Sequence, residues 1–326
     1  MRTQFFCGPL QVRLQTSEPT LYAKIAETLS LYDFTWPAPY REVHIQASLN
    51  DELPVPAAGS FLQCSRMLVD HASDSLYATT TAGASASGAL AETSERWTIR
   101  VPAALVEAGK IEELEDLLSL VLTTGWRRHG WTPIHAAAVV KDGACAIICA
   151  PTGGGKTTLT AALVRRGWKV LGDDKLLLRL RDGRPEIAAL LHTFNLHPKT
   201  REWFPEVGDL ERLPRYSAWT EKRKVSVKSI WSDASAIAAQ PTVLVLLERS
   251  PTATDVRIDP LDQAAVLAAL ARQTAIPAEP ATARLIISNV ASAALQLRGL
   301  HIKVPNDVYR DAAVLTTIEA RLESAT

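Results

Sequence analysis

The segment Ala150-Pro151-Thr152-Gly153-Gly154-Gly155-Lys156-Thr157 carries the residue types that hold a nucleotide's phosphates. Glycines at 153, 154 and 155 permit backbone torsions that turn successive N–H groups toward one phosphate. A helix beginning near Lys156 would add the positive end of its dipole. Lys156 can then reach the β- and γ-oxygens, and the Thr157 hydroxyl can ligate Mg²⁺. Thr152 lies in the same cradle, and Thr158 is a candidate contact to the α-phosphate. The expected ligand is ATP with Mg²⁺. The pattern has Ala rather than Gly at its first position. A phosphate loop alone does not separate kinase, ATPase, GTPase and nucleotide sensor.

Asp173 and Asp174 follow 16 and 17 residues after Thr157, at the end of a short apolar run. That spacing fits strand, loop, helix and strand, one right-handed crossover. In a parallel sheet the C-terminal strand ends share an edge, so the pair should lie beside the phosphates. One carboxylate can serve the metal and the other can take a proton from an attacking hydroxyl. His135 sits in an apolar stretch, where a lone histidine is more often a satisfied core residue than a functional one. Glu221 to Lys228 carries four cations and one anion. Such a run is usually a solvated face, but cations facing a γ-phosphate would stabilise its transfer. The tract His192 to Lys199 could hold a histidine metal pair, line a substrate cleft, or simply connect two elements.

These residues need elements to position them. His135 to Val140 reads as a strand, Lys141-Asp142-Gly143 as a hairpin turn, and Ala144 to Cys149 as a strand entering the glycine loop. Thr157 to Arg166 follows as a helix with Gly167 as its stop. Lys169 to Leu171 reads as a strand, Leu176 to Leu180 and Glu186 to Leu191 as a hairpin, and Thr242 to Leu247 as a strand. Asp262 to Gln273 reads as a helix and Arg284 to Asn289 as a strand. Upstream, Leu10 to Leu14, Glu42 to Leu49, Phe61 to Val69, Leu76 to Thr81 and Trp97 to Val101 read as strands. Thr20 to Leu31 and Ile111 to Trp126 have helical spacing. The Ala/Ser/Gly-rich stretch Thr81 to Glu92 reads as a loop. The expected domains are a small α/β unit over 1–130 and a larger α/β unit over 131–326.

The chain has 326 residues, 47% hydrophobic and 21% charged, as globular proteins do. Lys+Arg and Asp+Glu both number 35, so no net field draws the chain to nucleic acid or an anionic membrane. Neither nucleic acid nor membrane is an expected partner. No apolar run approaches the ~20 residues that span a bilayer, and the N-terminus does not read as a signal peptide. The cysteines, Cys7, Cys64, Cys145 and Cys149, form no Cys-x-x-Cys pair. They read as buried, reduced thiols in a cytoplasmic protein. Composition leaves open whether the chain forms a homo-oligomer.

The stretch PIHAAAVVKDGACAIICAPTGGGKTTLTAALVRRGWKVLGDDKLLL resembles the HPr kinase/phosphorylase superfamily, and its Gly-Asp-Asp triplet is similar to that of phosphoenolpyruvate carboxykinase. The resemblance covers about residues 130–230. It implies a P-loop kinase core of the HPr kinase/phosphoenolpyruvate carboxykinase type. Asp173 would be the base that deprotonates a serine hydroxyl, Asp174 and Thr157 would serve Mg²⁺, and His135 and Lys156 would act in catalysis. Lys222, Arg223 or Lys224 would form a cationic clamp, with Arg223 and Lys224 touching the nucleotide. The family's Leu-Leu-[Glu/Asp]-Ile-Arg-Gly-Leu-Gly stretch is missing and its Ser-Gly-x-Gly-Lys-Ser loop is replaced. The chain is therefore more similar to the branch that phosphorylates the C-terminal serine of lasso-peptide precursors, with the N-terminal unit as a substrate-docking module. The expected activity is a serine kinase acting on a peptide or protein. The alternatives are a small-molecule kinase or carboxykinase-like enzyme, and a non-catalytic ATP-binding regulator.

Overall fold

The fold is taken from a computed structural model. It describes residues 3–32, 36, 40–50, 62–64, 67–71, 74–91, 94–109, 112–215, 220–250, 252–253, 255–277, 279–305, 309 and 311–324. The chain divides into two compact α/β units. The first comprises Met1–Trp131 with Pro277–Leu285, and the second comprises Thr132–Ile276 with Ile286–Thr326. The interval Pro277–Leu285 thus groups with the N-terminal residues, not with the 131–326 unit expected from sequence.

In the first unit the elements are β1 (Gln4–Cys7), β2 (Leu10–Gln15), α1 (Pro19–Ser30), β3 (Arg41–Leu49), β4 (Leu62–Cys64), β5 (Met67–His71), β6 (Ser75–Thr80), β7 (Ser85–Leu90), β8 (Ser94–Val101), α2 (Ala103–Glu107) and α3 (Glu112–Arg128). The strands form one sheet in the order β1-β2-β3-β8-β7-β6-β5-β4. Leu117, Leu118, Val121 and Leu122 of α3 are fully buried, as the apolar stripe predicts. Two sequence expectations change here. The Ala/Ser/Gly-rich stretch is not a loop but contains β7, paired on both sides. It contains Gly88 because a large neighbour needs the room: a Cβ there would stand 2.8 Å from the Trp97 indole. The strand expected over 61–69 is instead the hairpin arms β4 and β5, and Phe61, Glu92 and Ile111 lie outside the described residues.

The second unit contains β9 (Thr132–Ile134), β10 (Ala137–Lys141), β11 (Ala144–Cys149), α4 (Lys156–Arg165), β12 (Lys169–Gly172), β13 (Leu176–Arg181), β14 (Arg184–Ala189), β15 (Thr193–Leu196), β16 (Arg223–Ser226), α5 (Val227–Ile230), β17 (Ala238–Ala239), β18 (Val243–Arg249), β19 (Arg257–Leu261), α6 (Gln263–Arg272), α7 (Pro280–Gln296, from Ile286 onward), β20 (Arg298–Val304) and α8 (Ala312–Glu323). Its main sheet runs β12-β10-β11-β18-β20-β19. β18 pairs in parallel with β11 and β20. β10 is antiparallel to both β11 and β12, so those two strands point the same way. The turn Asp142-Gly143 closes β10 onto β11 with both φ angles positive, 48° and 87°, the handedness that a two-residue hairpin requires.

Both faces of this sheet are covered. Ala144, Ala146 and Ile148 of β11 pack with Leu159 and Leu163 of α4 and Ile318 and Leu322 of α8. The alternate residues Cys145, Ile147 and Cys149 pack with Leu270 of α6 and Ile286 and Val290 of α7. Cys145 and Cys149 are free, buried thiols. Burial pushes the thiol of Cys149 up to about 12, so it stays protonated. Two further expectations are corrected. Residues 284–289 are not a strand but part of α7, whose buried Ile286, Val290, Ala293 and Ala294 recur at helical spacing. The strand expected over His135 to Val140 forms as β10 but begins only at Ala137. β9 pairs with β13 in a four-stranded sheet, β10 joins the main sheet, and His135 sits where the chain passes between them. Among the described residues, no helix is long and apolar enough to cross a membrane.

Candidate active site

The glycine loop joins the C-terminal end of β11 to α4. Gly153 and Gly155 have φ of 78° and 91°, a region that strains any residue with a Cβ. A Cβ on Gly155 would also stand 2.5 Å from the Tyr309 hydroxyl. The Gly154 N–H donates to the Pro151 carbonyl at 2.9 Å, which closes the turn. No side chain caps the first turn of α4. Its N–H groups are therefore open to an anion.

β12 runs parallel to β11, so Asp173 and Asp174 emerge at the same edge as the loop. The two carboxylates then diverge. Asp173 is 2% exposed. Its Oδ2 accepts hydrogen bonds from the Thr157 hydroxyl at 2.9 Å and the Asn195 N–H at 3.3 Å. Its Oδ1 is buried without a hydrogen-bond partner. Burial pushes this carboxyl up to about 6, partly offset by the Thr157 hydrogen bond, and the nearby charge of Asp174 raises it further.

Asp174 is more open, with its side chain 26% exposed, and it joins a different set of groups. Its Oδ1 lies 3.4 Å from His135 Nδ1 and 3.5 Å from Lys156 Nζ. Lys156 Nζ lies 3.1 Å from His135 Nε2. One neutral tautomer satisfies this triangle: the ammonium donates to Nε2, and Nδ1–H donates to Asp174. Burial lowers the pKa of His135, opposed by Asp174 and assisted by Lys156, Lys175 and Lys222. The imidazole is thereby held neutral near pH 7.

The glycine loop, with Thr152 and Thr158, lines a cleft of about 570 Å³ that also reaches His135, Asp174, Asn195, Trp203, Lys199, Lys222 and Arg249. The expected cationic contacts are placed differently. Lys222 reaches the cleft; Arg223 and Lys224 are not among its lining residues. The Arg223 guanidinium donates instead to the Leu213 carbonyl at 3.1 Å. The histidine pair is not a metal site. His192 contacts the Ala236 carbonyl at 2.9 Å, while His197 accepts from the Lys199 N–H. The four residues of β15 separate them by roughly 17 Å of extended chain. Asn195, Leu196, His197 and Lys199 line the cleft, one of the readings open for the tract His192 to Lys199, whereas sequence reading missed Trp203, Arg249 and Tyr309. Arg249 had a signal, since it ends the strand parallel to β11, where side chains face the same edge. Tyr309 had none, because it comes from a distant part of the chain. Among the described residues, no group of three or more His, Cys, Asp or Glu side chains converges to hold a metal. A second cavity, of about 610 Å³, lies in the first unit beside Arg13, His44 and Arg96.

No family model and no curated protein sequence matches the chain. Among solved structures it is similar to the HPr(Ser) kinase/phosphatase from Coxiella burnetii, at 12% identity and a TM-score of 0.34. The match covers 60% of this chain and 99% of that one. A likeness this loose decides nothing about activity, which has to be read from the site itself.

Proposed function

We propose that this protein is an ATP-dependent kinase that transfers the γ-phosphate to a serine hydroxyl of a peptide or protein. In its narrowest form the acceptor is the C-terminal serine of a lasso-peptide precursor. The observation that supports the reading is the set of contacts at one sheet edge: an open-ended helix and Lys156 for the phosphates, beside an accessible carboxylate, Asp174, oriented by His135.

The site fits Mg²⁺. The Thr157 hydroxyl and the Asp173 carboxylate are in contact, and Asp173 keeps one buried oxygen without a partner. Two protein oxygens are a usual share for this ion, which takes its other ligands from phosphates and water. Bound there, it would neutralise charge on the phosphate oxygens and keep Asp173 ionised.

This geometry favours exchanging the two aspartate roles expected from sequence. Asp173 is buried against Thr157 and serves the metal side, whereas Asp174 faces the cleft and can meet an acceptor. In the reaction, the N–H groups of the loop and the Lys156 ammonium hold the triphosphate. His135 Nδ1–H and Lys156 hold the Asp174 carboxylate in place. Asp174 accepts the hydroxyl proton as the acceptor oxygen bonds to the γ-phosphorus. The bond to the bridging oxygen breaks, and ADP carries off that electron pair.

The test is incubation with γ-labelled ATP and separate pools of serine peptides, proteins and metabolites. Label in peptide or protein supports the reading. Label only in metabolites makes the protein a small-molecule kinase, and ATP binding without transfer makes it a regulator. Asp174→Asn should lower turnover by about 10²–10⁴-fold while keeping ATP affinity. Unchanged turnover in that variant would return the base role to Asp173.

A further inference from the structure

We infer that Trp203 is the platform on which the nucleobase of the bound triphosphate stacks. The inference rests on the proposed nucleotide site and extends it from phosphates to base. Among the described residues that line the cleft, Trp203 is the one Trp, Tyr or Phe. It is only partly buried, which leaves part of an indole open in a cleft whose lining also carries Lys156, Asp174, Lys199, Lys222 and Arg249. An apolar ring in such a place loses water-exposed surface when a flat ligand covers it.

Its position follows from the contacts that hold it. The indole packs on the Tyr309 ring, with centroids 6.0 Å apart. The Tyr309 hydroxyl donates to the Gly155 carbonyl at 3.4 Å. The backbone of Trp203 is tied to the helix that the phosphate loop begins, because Arg165 donates to the Trp203 carbonyl at 3.0 Å. Loop, tyrosine and tryptophan therefore form one connected support. The groups of the transfer step lie elsewhere around the loop: His135, Asp174 and Lys156 contact one another, and Lys222 acts on the charge of His135. Arg249 acts on Tyr309 instead. A triphosphate with its γ-end at Lys156 and Asp174 then leaves its base for the Trp203 side.

The platform reads a π-face, so it serves any purine triphosphate and contributes nothing to the phosphates alone. Affinity for Mg-ATP and for Mg-tripolyphosphate, measured by calorimetry on the full chain, tests this. Wild type should bind Mg-ATP about tenfold or more tighter than tripolyphosphate, as stacking on one aromatic side chain provides. Trp203→Ala should remove most of that difference and leave tripolyphosphate affinity unchanged, and Trp203→Phe should retain most of it. Equal wild-type affinity for the two ligands overturns the inference without touching the phosphate site. So does an equal loss of both in Trp203→Ala together with an equal loss in Trp203→Phe, which makes Trp203 a prop for the loop. Binding of neither ligand to wild type defeats the nucleotide reading itself.

Discussion

Each unit of this protein buries a carboxylate, and the two are treated in opposite ways. In the first unit Glu95 is fully buried. Arg41 Nε stands 3.3 Å and Arg128 Nε 3.4 Å from one oxygen, and the Trp97 indole N–H donates to the other at 3.2 Å. Burial raises the Glu95 carboxyl, and Trp97 and both arginines oppose the shift. In the second unit Asp173 is almost as deeply buried, but it has a hydroxyl, an amide and no ion pair among the described residues. A buried charge without a cation is expensive. Glu95 has its countercharges within the fold, two arginines on a strand and a helix, although its Oε1 makes no hydrogen bond. Asp173 has no cation paired with it among the described residues, which is the feature that the proposed metal role would use.

The comparison can be broken at several points. The largest effect is expected at Lys156, where alanine should lower kcat/KM on the order of 10³-fold, since one preorganised charge on the transferring group is lost. Steady-state kinetics check it, and a loss under tenfold would remove Lys156 from the phosphate site. Next comes Glu95→Gln, which leaves two arginines facing a neutral amide. It should destabilise the fold by about 3 kcal/mol in urea titration and leave the ATP affinity of the folded protein unchanged. Asp173→Asn should behave inversely. A carboxyl raised to about 6 contributes stability below its ordinary range and loses it as pH rises through 6. The ligand-free wild type is therefore less stable at pH 8 than at pH 5 on this account. The asparagine variant should be about 2 kcal/mol more stable than wild type at pH 8, and its melting temperature should not respond to Mg²⁺ with ATP. Destabilisation at pH 8 would show that Asp173 is paired, as Glu95 is. The smallest effect is expected at His135. Alanine should reduce kcat about tenfold by releasing Asp174. Glutamine, which can donate to Asp174 and accept from Lys156, should restore most of it. The wild-type kcat should not fall through protonation of His135 until the pH drops below the ordinary imidazole range, because burial lowers its pKa.

Much of the edge that carries the site was legible because its causes are local. Gly153 and Gly155 occur where backbone torsions exclude a Cβ, and the apolar runs on either side of the loop are strand and helix as their periods predict. The Asp142-Gly143 turn follows from the same kind of cause. Elements whose cause is a neighbour were not legible. β7 contains Gly88 because Trp97 fills the space where a Cβ would stand. The run Leu285-Ile286-Ile287 resembles a strand until the core is seen to take only Ile286 of the three. His135 was placed on a strand because its flanks are apolar, yet those flanks belong to two different sheets.

The sequence by itself determined that a phosphate loop stands between a strand and a helix, and that two aspartates end the next parallel strand. Those facts depend on residues within one crossover. Only the tertiary structure decided which aspartate is buried and which faces the cleft. β12 ends at Gly172 and the chain bends through the pair, with Asp173 buried against Thr157 and Asp174 beside His135 and the cleft. The same holds for the cations. Lys222, Arg223 and Lys224 are equivalent as a charge run, and in the fold Lys222 lines the cleft while Arg223 donates to the Leu213 carbonyl.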